Sequence, residues 1–189
     1  MKHLPNALTI VRILVTPVVL ILLYRNALPG IAIALVLFLI AAASDYLDGK
    51  IAREFEARSE LGQALDPLAD KVLVLGVFVM LCVIVPEFVP WWGVALIGLR
   101  DISVTWMRSQ SRVSGGGFTL PVAKRKTAVQ IVYLSGILVL LTFEKLEGAA
   151  GAWARRVLDT PIPLAAFLLV VAFTLWTGWI YLFREKRTG

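Results

Sequence analysis

Six apolar runs organise this chain, at roughly residues 5–24, 30–50, 64–85, 91–110, 125–143 and 162–183, each near the 20 or so residues that a bilayer crossing requires. The connections between them are short and polar or rich in Gly and Pro, and the pattern predicts six transmembrane helices. Trp91 and Trp92, just after a turn bounded by Pro86 and Pro90, read as interfacial belt residues at the outer surface. The stretch Ser111 to Pro121, with Ser114 followed by Gly115, Gly116 and Gly117, lacks P-loop spacing and reads as a flexible connector. The outer loop Glu144 to Pro161 mixes both charge signs and carries no sharp signal.

Composition agrees with a membrane setting. The chain is 59% hydrophobic and 17% charged, with a mean hydropathy of +0.81, well outside the soluble average. No internal repeat, low-complexity tract or linker divides it, so residues 1–189 read as one helical membrane domain. The first run lacks a small-residue cleavage site before Tyr24 and Arg25 and is read as retained rather than as a signal peptide. The lone Cys82 excludes an intramolecular disulfide, and His3, the single histidine, reads as a solvated tail residue.

Basic residues set the orientation. With both termini cytoplasmic, that side holds Lys2, Lys50, Arg53, Arg58, Arg108, Arg112, Lys124, Arg125, Lys126, Arg184, Lys186 and Arg187. The opposite side holds Arg25, Lys145, Arg155 and Arg156. The positive-inside rule therefore favours cytoplasmic termini. The same bias accounts for the net charge of +6, and no soluble segment is long enough to offer nucleic acid a basic surface.

Against this background four carboxylates stand out. Asp45 and Asp48 are three residues apart and Asp66 and Asp70 four apart, so on helices each pair projects from one face. Charges at the ends of apolar runs are expensive and mark functional sites. Left alone, four neighbouring carboxylates resist joint ionisation; a divalent metal removes the conflict, and Mg²⁺ keeps positions for substrate phosphates. Two such ions suit chemistry on a phosphate ester or anhydride. Plainer readings stand beside this for two residues: Asp66 before Pro67 as an N-cap with proline at the first helical position, and Arg53 as a topology anchor.

The pattern DxxDGxxAR, eight residues, then GxxxDxxxD is matched at every defined position by Asp45, Asp48, Gly49, Ala52, Arg53, Gly62, Asp66 and Asp70. It resembles the signature of the CDP-alcohol phosphotransferases, membrane enzymes that displace CMP from a CDP-linked lipid or alcohol. The resemblance implies an all-α six-helix bundle with a cytoplasm-facing polar cavity, a homodimer in the inner membrane, and Mg²⁺ or Mn²⁺ as cofactor, as two ions. It further implies that Asp45, Asp48, Asp66 and Asp70 hold metal and that Asp70 is also the general base. CDP-diacylglycerol contacts are implied for Asn6, Thr9, Gly49, Arg53, Ser59 and Gly62. For Asn6, Thr9 and Arg12, ordinary capping and interface roles stand beside that reading.

The acceptor alcohol is addressed by the fourth and fifth helices. Arg100 sits roughly 13 Å of helix inside the interface marked by Trp91, where an arginine should face the bundle interior. On the fifth helix Lys126, Thr127 and Gln130 share one face. With Arg108 these residues suit an acceptor that carries its own phosphate. RDISVTWMR (Arg100–Arg108), AKRKTAVQ (Ala123–Gln130) and NALTIVR (Asn6–Arg12) are similar to segments of family members that transfer phosphatidyl from CDP-diacylglycerol to sn-glycerol 3-phosphate and release CMP. That likeness implies an acceptor-phosphate site of Arg100, Arg108, Lys124 and Lys126. Two positions depart from it, Asp101 where glutamate usually follows the arginine and Ala123 where glycine usually precedes the lysine.

Alternative readings remain beside this one. The same chemistry can serve inositol phosphate, serine or phosphatidylglycerol as acceptor, and Lys124–Lys126 can be a topology anchor. A different class, a divalent-cation transporter, also places carboxylates in a membrane. Gly136, Thr177 and Gly178 are small enough for close helix contact.

Overall fold

The computed structural model describes the backbone of residues 4–54, 60–113 and 121–185, with side chains over most of 11–44, 71–107 and 126–180. Among the described residues there are seven α-helices and no strand: α1 Leu4–Tyr24, α2 Leu28–Glu54, α3 Glu60–Ile84, α4 Trp91–Val113, α5 Pro121–Glu144, α6 Ala149–Leu158 and α7 Ile162–Glu185. The six long helices overlie the six predicted apolar runs. Over the described residues, Lys126–Glu144 and Ile162–Ile180 are long and apolar enough to cross a membrane, and shorter apolar stretches fill Val11–Tyr24, Leu28–Ser44 and Lys71–Ile84.

Three differences from the sequence reading have simple causes. The helices outrun their apolar runs, because a helix continues through polar residues until its backbone is capped or broken: α2 reaches Glu54 and α4 reaches Val113. Asp66 and Pro67 accordingly lie inside α3, about two turns from its start, and the N-cap reading of Asp66 does not hold. The outer loop contains a helix, α6, that the mixed charges concealed. Its ten residues bury Gly151, Ala154 and Leu158, and Gly148, at φ 84°, turns the chain into it.

Helix α1 packs along both α2 and α3, α4 lies on α7, and α5 touches α2, α3, α6 and α7. The turn from α1 to α2 places Asn26 at φ 46°, a left-handed conformation that asparagine tolerates, and the Asn26 N–H donates to the Leu23 carbonyl at 2.9 Å. At the centre Phe78, Tyr133 and Phe167 from α3, α5 and α7 meet with ring centroids 5.8–6.1 Å apart. Gly93 makes room for that cluster: a β carbon there would collide with the Phe167 ring.

The exterior is as apolar as the interior. On α1 the exposed residues Val11, Leu14, Val18 and Ile21 form a helical stripe, and α7 exposes Leu169, Trp176 and Trp179. Trp91 is 73% exposed at the start of α4. Several polar residues, among them Lys126, Gln130, Thr174 and Thr177, are buried instead. So much exposed apolar surface fits helices solvated by lipid.

Candidate active site

Helices α2 and α3 are consecutive and in contact, with five residues between Glu54 and Glu60. Counted from the facing ends, Asp48 is six residues into α2 and Asp66 six into α3, while Asp45 and Asp70 are nine and ten residues in. At about 1.5 Å per residue, those counts correspond to roughly 9 Å and 14 Å of helix. Donors that are all carboxylate oxygens on two adjoining helices fit hard cations such as Mg²⁺ or Mn²⁺. The side chains of these four aspartates lie outside the described residues; among the described side chains no group of three or more His, Cys, Asp or Glu converges on one point.

Lys71 is the first residue of α3 whose side chain is described, and it borders a small cleft between α3, α4 and α5. The cleft is lined by Lys71, Val74, Leu75, Ile97, Asp101, Lys126, Thr127 and Gln130, with a cavity volume of about 30 Å³. The predicted shared face of Lys126, Thr127 and Gln130 is therefore realised. Lys126 Nζ donates to both carboxylate oxygens of Asp101 at 2.6 Å. Lys71 Nζ donates to the Asp101 backbone carbonyl at 3.2 Å, and Thr105 Oγ1 donates to that same carbonyl at 2.6 Å.

Arg100 does face the interior, as its depth required, yet it does not line the cleft. Its Nη1 pairs with Asp101 Oδ1 at 3.1 Å and its Nη2 donates to Thr177 Oγ1 on α7 at 2.9 Å. Its Nε is buried and finds no hydrogen-bond partner among the described residues. Thr177 Oγ1 donates onward to the Thr174 carbonyl at 2.8 Å, and Gln130 Nε2 donates to Thr174 Oγ1 at 3.2 Å. Gly178 gives the arginine its space, since a β carbon there would stand 2.9 Å from Arg100 Cγ. Gly136, by contrast, has nothing within 4 Å of such a carbon and makes no close helix contact among the described residues.

Of the predicted acceptor residues, the structure therefore puts Lys126 at the cleft and Arg100 behind it. The side chains of Arg108 and Lys124 lie outside the described residues, as do those of Asn6, Thr9, Gly49, Arg53 and Gly62, which sit on α1, α2 and α3; Ser59 and His3 are outside altogether. Sequence reasoning passed over Lys71, Thr174 and the bridging role of Asp101. Lys71 had a signal: a lysine inside an apolar run earns the same attention as an aspartate there. The threonines had none, because a threonine in a helix usually bonds only its own backbone.

Comparison with known proteins places this arrangement. Residues 2–184 match the family model described as CDP-alcohol phosphatidyltransferase. The chain belongs to that family and is a membrane enzyme of it. Among its relatives is a protein of Rickettsia typhi, 34% identical over 191 residues, covering 100% of this chain and 99% of its own length. Others are from Pseudomonas fluorescens, 33% identical over 95% of this chain and 88% of the relative, and from Bacillus subtilis, 30% identical over 96% and 94%. All three carry the name CDP-diacylglycerol–glycerol-3-phosphate 3-phosphatidyltransferase.

Proposed function

We propose that this protein transfers the phosphatidyl group of CDP-diacylglycerol to sn-glycerol 3-phosphate, giving phosphatidylglycerophosphate and CMP. The observation that carries the donor half is the eight-position signature on the adjoining ends of α2 and α3. Full-length similarity to relatives named for this reaction supports the acceptor half, and so does the cleft lined by Lys71 and Lys126.

In this reading Asp45, Asp48, Asp66 and Asp70 hold two Mg²⁺ or Mn²⁺ ions, which when bound neutralise the diphosphate and ease departure of CMP. Asp70 accepts the proton of the acceptor hydroxyl as that oxygen bonds to the lipid-bearing phosphorus and the bond to the CMP oxygen breaks. Arg53 supplies a planar contact to phosphate. Gly49 and Gly62 leave room for the nucleotide, with Asn6, Thr9 and Ser59 as its polar contacts. Lys126, aided by Arg108 and Lys124, receives the acceptor's phosphate, and Arg100 supports the site from behind. The enzyme works as a homodimer in the inner membrane, with termini and active site facing the cytoplasm, where CDP-diacylglycerol's nucleotide and the soluble acceptor meet.

The test is CMP release by the purified protein from CDP-diacylglycerol with a panel of acceptors. Turnover with sn-glycerol 3-phosphate well above that with inositol phosphate, serine or phosphatidylglycerol is expected. Preference for another acceptor removes the specific activity. Metal flux into vesicles with no CMP release would favour a transporter.

A further inference from the structure

Asp101 belongs to none of the groups that the family signature explains, yet it accepts hydrogen bonds from Arg100, Lys126, Lys71 and Thr105. Its carboxylate takes Lys126 on both oxygens and Arg100 on one, and its carbonyl takes Lys71. Three helices are joined at this residue. The charged side chains are nearly enclosed, 13% exposed for Asp101, 6% for Lys126 and 10% for Arg100. Arg100 has a second anchor in Thr177. Lys126 is a compact charge on a flexible four-carbon stem, and a grip by two oxygens at 2.6 Å fixes both its place and its direction.

Lys71 and Lys126 line the cleft together with Asp101, and Arg100 stands behind it; ammonium groups of this kind bind phosphate. The cleft is small, about 30 Å³, so a phosphate monoester would sit at its mouth, beside the Asp101–Lys126 pair and Lys71.

We propose that Asp101 is a positioning residue of the acceptor site: it holds the Lys126 ammonium at the wall of the cleft, where that cation receives the phosphate of a small phosphorylated alcohol. This rests on the acceptor reading given above. Asp101 acts through Lys126 and does not itself touch the reacting atoms. A carboxylate one methylene longer can keep the pairing, whereas the isosteric amide cannot hold an ammonium in the same way.

Steady-state kinetics of Asp101→Asn, Asp101→Glu, Lys126→Gln and the double variant Asp101→Asn/Lys126→Gln, with both substrates varied, tests the inference. In Asp101→Asn the KM for sn-glycerol 3-phosphate rises tenfold or more while that for CDP-diacylglycerol stays within twofold; Asp101→Glu recovers most of the loss. The double variant, which leaves no charge of the pair buried alone, matches Lys126→Gln within twofold in acceptor KM. It therefore supplies the decisive comparison even if Asp101→Asn does not fold. An unchanged acceptor KM in Asp101→Asn, or a further rise of fivefold or more in the double variant over Lys126→Gln, overturns the inference. Wild-type protein that ignores sn-glycerol 3-phosphate overturns the acceptor reading instead, a result visible before any variant is made.

Discussion

Lys126 of α5 holds Asp101 of α4 through both carboxylate oxygens at 2.6 Å. The pair joins the two helices that carry the acceptor segments, at the mouth of a cleft whose third wall, Lys71, follows Asp70 directly on α3. Along the chain, Lys71 is one residue from the proposed general base.

Replacing Lys126 with Gln is expected to raise the KM for sn-glycerol 3-phosphate by roughly tenfold to a hundredfold and to leave that for CDP-diacylglycerol nearly unchanged. The size follows from about 1.5 to 3 kcal/mol for a charge-assisted contact. Glycerol should be a very poor acceptor, because it leaves the cations without an anion. An unchanged acceptor KM accompanied by altered membrane insertion would instead make the Lys124–Lys126 segment a topology anchor.

Asp70→Asn should lower kcat by about a hundredfold or more while CDP-diacylglycerol binding stays measurable. The amide keeps the size and loses the base, and general-base catalysis is typically worth about 10²-fold or more. Retention of more than about a tenth of wild-type kcat assigns the proton to another group.

Activity is expected to vanish in chelator and to return with Mg²⁺ or Mn²⁺. Asp45→Ala and Asp66→Ala, one from each helix, should be equally inactive, since each removes an oxygen ligand from a set that binds jointly. Metal binding to the resting protein, measured by calorimetry, should weaken in the same two variants. Full turnover after thorough demetallation would end the metal reading.

Gly93→Ala should destabilise the bundle by about 1–3 kcal/mol, the usual cost of overpacking a core, because its new methyl meets the Phe167 ring. Adding Phe167→Leu opens the space, so the double variant should recover part of the loss relative to Phe167→Leu alone. Unfolding in detergent, followed by heat or denaturant, reads both. A neutral Gly93→Ala would mean that the ring shifts without penalty.

How much of this was legible in the chain differs from feature to feature. Six apolar runs foretold six long helices because an apolar run of about 20 residues hides its backbone polar groups best by hydrogen-bonding them internally. The depth of Arg100 foretold that it would turn inward, because a buried guanidinium needs partners, and the periodicity of α5 foretold that Lys126, Thr127 and Gln130 would share a face. α6 stayed hidden, since ten residues with both charge signs carry too little hydrophobic periodicity to separate a short helix from a loop.

The sequence by itself determined the helices, their faces and the carboxylate spacing, all of which depend on residues near one another along the chain. Only the tertiary structure decided which partner each buried charge takes. Arg100 and Lys126 read alike in sequence, as basic residues poised for a phosphate, yet packing of α4 on α7 beside Gly178 sends the arginine to Thr177, while α5 delivers the lysine to the cleft. A buried charge must find its counterpart wherever the fold puts one, and Asp101, Thr177 and Lys126 lie on three separate helices that only folding brings together.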